Sequence, residues 1–148
     1  MLPDGRYIAG FFDGEGCVHI TEAGSYKSGK PHLTVKVQIA NTNTEILRDI
    51  QQVVGGTVST SLSAIQKASN RQYPCYKLSL TAHTDVKKFI EVVGPFVRVK
   101  ARQVESLRRY AETMRGYGNR LSDEDWSIRE RTRQELSAYN QNHREVAA

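Results

Sequence analysis

The spacing of apolar residues changes along the chain and predicts helices that alternate with paired strands. Residues 7–12 are almost wholly apolar and lead into a glycine-rich stretch at 14–16, which indicates a short buried helix that ends at glycine. In residues 17–21 and 32–40 every second residue is aliphatic, which is the period of a strand with one buried face. The connection at 23–31 holds two Gly, two Ser and two Lys, and predicts a flexible, basic hairpin tip.

The next part of the chain predicts a second helix followed by a second hairpin. Thr42 and Glu45 have the spacing of a capping box, and they precede an amphipathic stretch that stops at two consecutive glycines. Residues 58–63 and 75–80 alternate in the same way as the first strands, so they predict a second hairpin.

Three more helices are predicted after the second hairpin. Thr84 opens the first, which ends at Gly94 and Pro95, and apolar residues at helical spacing over 97–114 indicate the second. The third begins at Ser122, because the acids that follow suit a helix N-terminus, although its apolar stripe is thin.

This order predicts an α+β fold with a four-stranded antiparallel sheet and helices on one face, because each strand has only one apolar side. The length of 148 residues suits a single domain over residues 1–148. We expect a core of about 6–115 and a C-terminal helical extension of about 121–142.

The second face of the predicted sheet is polar and contains no acid. Such a face could be ordinary solvated surface, but a pair of strands also fits the major groove of DNA and presents every second side chain to base edges. The residues expected on it are His19, Thr21, His32, Thr34, Lys36, Gln38, Ser59, Ser61, Cys75, Lys77 and Ser79.

Composition narrows the class of protein. With 39% hydrophobic and 25% charged residues the chain is neither disordered nor fibrous. No apolar run is long enough to span a membrane, and the N-terminus lacks a secretion signal. We therefore expect no membrane partner and an intracellular location, in the cytoplasm or nucleoid or in an organelle. The two cysteines offer neither a disulfide framework nor a zinc site.

The charge is unevenly distributed, and this suggests a polyanionic partner. The net charge is +5, and residues 16–111 hold fourteen Lys and Arg against six Asp and Glu. A localised basic surface suits nucleic acid, because contacts to phosphates release counterions. Composition alone leaves RNA, DNA and an anionic membrane surface open.

Residues 8–16, Ile-Ala-Gly-Phe-Phe-Asp-Gly-Glu-Gly, carry the candidate chemistry. Asp13 and Glu15 would place two negative charges at the negative end of a helix dipole, at a cost of about 0.3 to 1 kcal/mol each. A divalent cation would reverse this electrostatic cost, and oxygen ligands favour Mg²⁺. Gly10 and Gly14, four residues apart, would let a second helix approach closely. Alternatively, the glycines relieve crowding within the chain and the acids cap a turn.

These nine residues resemble the LAGLIDADG motif of homing endonucleases. Ala9, Gly10, Asp13 and Gly16 match the motif outright, and Glu15 replaces its final acid, a substitution common in the family. The predicted order of elements is also similar to the family's α-β-β-α-β-β-α core. The resemblance implies a homing endonuclease-like fold whose antiparallel sheet forms a DNA-binding saddle.

The resemblance also implies an active site for hydrolysis of DNA phosphodiesters with a divalent metal. Glu15 and the carbonyl of Gly14 would bind the metal. Asn41 stands where the family often has a Gln that orients water, and Lys100 stands at the position of a basic residue that stabilises charge at the cleaved phosphate, a role that Arg98 could also take. Mg²⁺ is the expected ion, Mn²⁺ should substitute for it, and Ca²⁺ should bind without supporting cleavage.

One copy of the motif implies a homodimer. Ile8, Gly10, Phe11 and Gly14 are its expected interface, and each subunit would cut one strand of double-stranded DNA. Strands of about 8 residues span about 26 Å, so a near-palindrome of roughly 16 to 20 base pairs is expected. Such a break would promote intron mobility. The best candidates for reading bases are Lys36, Lys77, Gln38, His19 and His32, with Lys favouring guanine and Gln favouring adenine. Lys27 and Lys30 in the hairpin tip should touch phosphates.

Two alternatives share this fold. One is an intron-encoded RNA maturase, for which RNA would be a partner. The other is a sequence-specific DNA-binding regulator that does not cleave. A regulator would bind its site with or without the Glu15 carboxylate and would not cut in Mg²⁺.

Overall fold

The computed structural model describes residues 1–60, 74–115 and 121–147, with side chains as far as residue 141. The helices and strands in these residues are α1 (Gly5–Glu15), β1 (Gly16–Ser25), β2 (Pro31–Asn41), α2 (Thr44–Val54), β3 (Thr57–Thr60), β4 (Tyr76–Leu80), α3 (His83–Val92), a short 3₁₀ helix (Gly94–Phe96), α4 (Ala101–Glu112) and α5 (Asp123–Ala147).

The strands form one antiparallel sheet in the order β1-β2-β4-β3. Alternation along β2 buries Leu33, Val35, Val37 and Ile39 on one face, where helices cover them. This confirms the predicted α+β fold with helices on one side of a four-stranded sheet.

The core lies between this face and the helices. Phe12 of α1 is fully buried and packs edge-on against Phe89 of α3, with ring centroids 5.0 Å apart. Gly16 follows α1 closely enough that a Cβ there would collide with the Phe12 ring. Truncating such a buried ring typically costs about 3 to 5 kcal/mol, so Phe12 ties the motif helix to the rest of the fold.

The first two helices begin at positions that differ from the predictions. α1 begins earlier, at Gly5, because the Asp4 side chain accepts the Tyr7 N–H at 2.9 Å and caps the helix. The cap of α2 is Asn43, whose side chain accepts the N–H groups of the next turn, so the predicted capping box at Thr42 is wrong.

Proline explains the next difference. The helix predicted over 97–114 starts only at Ala101, because Gly94–Phe96 form a 3₁₀ turn around Pro95. An irregular segment at residues 97–100 therefore separates α3 from α4 and passes close to the end of α1.

α5 packs more closely than its thin apolar stripe predicted. Leu136 is 1% exposed and belongs to the same hydrophobic core as α1 and the sheet. Arg129 is also buried, where it donates to the hydroxyl and the carbonyl of Thr113 at the C-terminal end of α4. The helix extends to Ala147, beyond the predicted end at about 142. No helix in the described ranges is both long and apolar enough to cross a lipid bilayer.

Candidate functional site

The C-terminal end of α1 brings Glu15 and Lys100 into one region. Glu15 is the last residue of α1 and is exposed, and Lys100 immediately precedes α4. The Lys100 Nζ donates to the main-chain carbonyl oxygens of Asp13 at 2.5 Å and of Phe12 at 3.3 Å. The last carbonyls of a helix lack intrahelical partners and form the negative end of its dipole, so a lysine is stabilised there.

Asp13 holds the segment that carries Lys100. Its two carboxylate oxygens accept the backbone N–H groups of Arg98 at 2.9 Å and of Lys100 at 3.0 Å. Burial by itself raises the pKa of Asp13, but these hydrogen bonds and the charge of Lys100 outweigh it, so the pKa is lowered from its usual 3.8. The sequence pattern of Asp13 and Glu15 predicts a cation bound by both, whereas the Asp13 carboxylate accepts peptide N–H groups instead.

Asn41 lies at the same end of the sheet. The register places Ile39 opposite Gly16, and Asn41 follows two residues later at the end of β2. Its side-chain oxygen accepts the N–H of Asn43 at 2.8 Å and so shapes the entry into α2. Within the described residues no hydrogen bond joins Asn41 to Glu15 or Lys100, and its role toward water stays a prediction.

The donors at this end suit a magnesium ion that is shared with a substrate. Glu15 supplies an exposed carboxylate, and Gly14 lies exposed in the last turn of α1, where carbonyls have no helical partner. Mg²⁺ is usually bound by one or two carboxylates, waters and substrate phosphates. The part of the chain described by the structure contains no cluster of three or more His, Cys, Asp or Glu side chains that could hold a metal ion.

The polar face of the sheet is confirmed as a single surface. Residues opposite each other in an antiparallel register share a face. The observed rows are Cys17–Gln38–Ser79–Thr57, His19–Lys36, Thr21–Thr34 and Ala40–Lys77–Ser59. His32 precedes Thr34 by two residues on β2, Cys75 stands just before β4, and Ser61 lies outside the described residues. None of the residues in these rows is acidic.

The charge state of His19 is set by its surroundings on this surface. Burial, followed by the charges of Lys36 and Lys77, lowers the pKa of His19 from 6.5, so the ring is neutral at neutral pH. Its Nδ1 lies 3.7 Å from the Cys17 Sγ. Burial raises the pKa of the Cys17 thiol, with the two nearby lysines, Lys100 and Lys77, acting in the opposite direction. Both groups are therefore uncharged side chains that can hydrogen bond without attracting phosphates.

The hairpin tip is shorter and more constrained than predicted. β1 runs to Ser25 and β2 starts at Pro31, so the connection is residues 26–30. Lys27 is exposed as expected, but the Lys30 Nζ lies 2.8 Å from the Asp123 carboxylate of α5. Lys30 therefore lies in the connection as predicted but is paired with the C-terminal helix, and its contact with phosphate stays a prediction.

One face of α1 is bare and exposed. Gly10 and Gly14 are exposed, and apart from the adjoining residues and backbone of α1 no described heavy atom lies within 4 Å of a Cβ built on either. Tyr7 and the partly buried Phe11 stack beside them with ring centroids 6.3 Å apart. Ile8 is 0% exposed and faces the core, so its predicted place at an interface is wrong. The physical reason is helical spacing, which groups positions 7, 10, 11 and 14 and turns position 8 away.

Comparison with known proteins identifies this arrangement. The family model described as LAGLIDADG endonuclease matches residues 8–105. The chain belongs to the LAGLIDADG endonuclease family. This confirms the family predicted from the motif, and membership in it supports the predicted DNA endonuclease. The match ends within α4, so α5 lies beyond it.

Solved structures of LAGLIDADG homing endonucleases have the same fold. The homing endonuclease I-TnaI superposes with a TM-score of 0.69 at 21% identity, over 92% of this chain and 89% of that chain. The archaeal intron-encoded homing endonuclease I-Vdi141I, complexed with DNA, gives 0.68 at 21% identity over 90% and 82%. I-LtrWI, bound to target DNA, gives 0.70 at 17% identity over 90% of this chain but 44% of its own. Among curated protein sequences none matches significantly.

Proposed function

We propose that two copies of this chain form a Mg²⁺-dependent endonuclease that recognises a long near-palindromic DNA site and cuts both strands, as intron mobility requires. The observation that carries this proposal is the position of Glu15. Glu15 follows the exposed glycines of α1 and precedes Cys17, where the polar surface of the sheet begins on β1. A carboxylate that could bind a metal therefore lies where a dimer axis and a DNA surface would meet.

The proposed active site uses four groups of this chain, and a fifth residue positions one of them. Glu15 and the Gly14 carbonyl would hold the ion, which when bound supplies Lewis-acid chemistry and lowers the pKa of water. Lys100 places a positive charge beside this end of α1 and would stabilise negative charge on the phosphate. Asp13 would act only by positioning Lys100. Asn41 would orient water from the neighbouring strand end.

A homodimer is supported by geometry and by length. The exposed glycines of α1 leave room for a second helix, and a twofold axis there would bring the two Glu15 carboxylates close together. This chain matches 44% of the I-LtrWI chain, so two copies of it together would correspond to most of the length of that chain. The proposed interface is therefore Tyr7, Gly10, Phe11 and Gly14, without Ile8.

The sheet would read one half-site in an order set by distance from Glu15. The Ala40–Lys77–Ser59 row comes first along the strands, followed by Cys17 with Gln38, then His19 with Lys36, and then Thr21 with Thr34. β1 has ten residues, which span roughly 33 Å and about 10 base pairs. Lys36 would favour guanine and Gln38 adenine at their positions.

The test is a cleavage selection from a library of near-palindromic duplexes in Mg²⁺, with Glu15→Gln as the matched variant. We expect one symmetric site to be recovered, cut by the unmodified protein and bound but not cut by Glu15→Gln. Replacing Mg²⁺ by Mn²⁺ should preserve cutting, and Ca²⁺ should preserve binding alone. Selective binding with no cutting by either protein would contradict the proposal and favour a regulator, or a maturase if the bound molecule is RNA.

A further inference from the structure

α5 lies along the free edge of β1. β1 is an edge strand, with β2 on one side only. The Asn140 Nδ2 donates to the Val18 carbonyl at 3.2 Å, and Arg133 pairs with Glu22 at 3.4 Å. The helix therefore runs antiparallel to the strand and binds its unpaired edge.

The helix and the strand are matched in length. From residue 123 to residue 140, α5 advances about 26 Å at 1.5 Å per residue. From residue 18 to residue 26, β1 and its tip also advance about 26 Å at about 3.3 Å per residue. This match explains why the N-terminal turn of α5 reaches the hairpin tip, where Asp123 pairs with Lys30.

The outer hairpin has little support from the rest of the sheet. β4 pairs with β2 only at residues 37–41, so residues 31–36 of β2 have β1 as their one strand partner in the described sheet. Residues 21–29 are all exposed, and the register shifts between Glu22 and Ser25. A ribbon of two strands is marginal on its own in water. Leu33 and Val35 in the core and the Tyr110 hydroxyl on the Leu33 carbonyl hold the inner part of the ribbon, so the contacts with α5 act mainly on its outer part.

Trp126 completes the contact at the tip. Its ring meets the Tyr26 ring edge-on at 5.7 Å, and the Lys30 Nζ lies 5.4 Å from its centre. Tyr26 in turn lies 5.0 Å from the ring of His32, and its N–H donates to the Lys30 carbonyl at 2.8 Å. Trp126 is thus connected through Tyr26 to His32, which faces the polar surface.

We propose that α5 is a splint for the β1–β2 hairpin, and that Trp126 and Asp123 are positioning residues that determine discrimination at the outer base pairs of each half-site. The splint rests on these contacts alone. Its effect on discrimination rests on the proposed function, since it requires the hairpin to read DNA.

The splint is tested first by hydrogen exchange of the full chain without DNA. In Trp126→Ala we expect amide exchange in residues 21–34 to rise roughly tenfold, with Val37 and Ile39 unchanged. Asp123→Asn should produce a smaller rise at the tip. Trp126→Phe should restore protection, because a phenyl ring keeps the edge-on contact. Ser127→Ala, an exposed change on the same helix, is the control.

The positioning role is tested by cleavage of duplexes altered at single base pairs. Trp126→Ala should lose roughly tenfold in discrimination at the outer pairs and keep it at the pairs next to the cut, which a general loss of folding would not do. Unchanged hairpin exchange, or a rise throughout the sheet, would overturn the splint. A local rise with unchanged outer discrimination would overturn the positioning role. If the chain cut no DNA, the proposed function would be refuted. The hydrogen-exchange result would still test whether α5 is a splint for the hairpin.

Discussion

Replacing Gly10 by alanine separates the stability of one chain from the stability of a dimer. Gly10 lies inside α1, is exposed, and apart from the adjoining residues and backbone of α1 has no described heavy atom within 4 Å of an added Cβ. In the single chain alanine is therefore accommodated, and its helix propensity should raise the free energy of unfolding by about 0.5 to 1 kcal/mol. Gly5 in the same helix is the contrast, since a Cβ there would collide with the Val92 carbonyl and Gly5→Ala should destabilise.

The dimer should respond with the opposite sign. If two α1 helices pack at a twofold axis, the new methyl of Gly10→Ala appears twice in one contact. Overpacking costs about 1 to 3 kcal/mol per site, so two sites cost about 2 to 6 kcal/mol. This corresponds to a dimer weakened roughly 30-fold to 10⁴-fold. Gly10→Arg should abolish the dimer and with it double-strand cleavage.

Two measurements decide the question. Sedimentation equilibrium gives the dissociation constant of each variant, and urea unfolding at concentrations below that constant gives the stability of the single chain. We expect Gly10→Ala to be a more stable monomer and a weaker dimer than the unmodified protein. An unweakened dimer of Gly10→Arg would refute the reasoning, because the interface would then lie elsewhere.

Three further results are expected. Asp13→Asn should lower the free energy of unfolding by about 1 to 2 kcal/mol, since two backbone N–H groups lose a charged acceptor. It should also slow cleavage by displacing Lys100. Unchanged urea unfolding and an unchanged cleavage rate would contradict this. Between pH 7.5 and pH 5, His19→Gln should lose less free energy of unfolding than the unmodified protein. The pKa of His19 is lowered in the folded chain, so as the pH falls the unfolded chain binds more protons than the folded chain and folding is weakened. Equal losses for the two proteins in urea unfolding would contradict this. Tyr110→Phe should lower the free energy of unfolding by about 1 to 2 kcal/mol in the same assay. The buried Tyr110 hydroxyl donates to the Leu33 carbonyl at 3.1 Å, on the part of β2 that β4 does not cover. An unchanged free energy of unfolding would contradict this and show that water replaces the bond.

Features that depend on the local period of apolar residues can be predicted from the amino-acid sequence without the structure. Alternation along residues 32–40 specified which face of β2 is buried, because successive side chains of a strand point to opposite sides. The motif at residues 8–16 indicated a helix that ends in its glycine-rich stretch and a family for most of the chain. Both conclusions use neighbours in sequence, so no knowledge of distant contacts was needed.

Tertiary structure alone decided which distant groups meet. Asp13 and Glu15 are indistinguishable in the sequence as acids at a helix end, yet Asp13 binds peptide groups 85 residues away in sequence and Glu15 stays exposed. Lys30 reads as a free basic residue until Asp123 is placed beside it. Such partners are fixed by packing of the whole core, whose contacts no local pattern encodes.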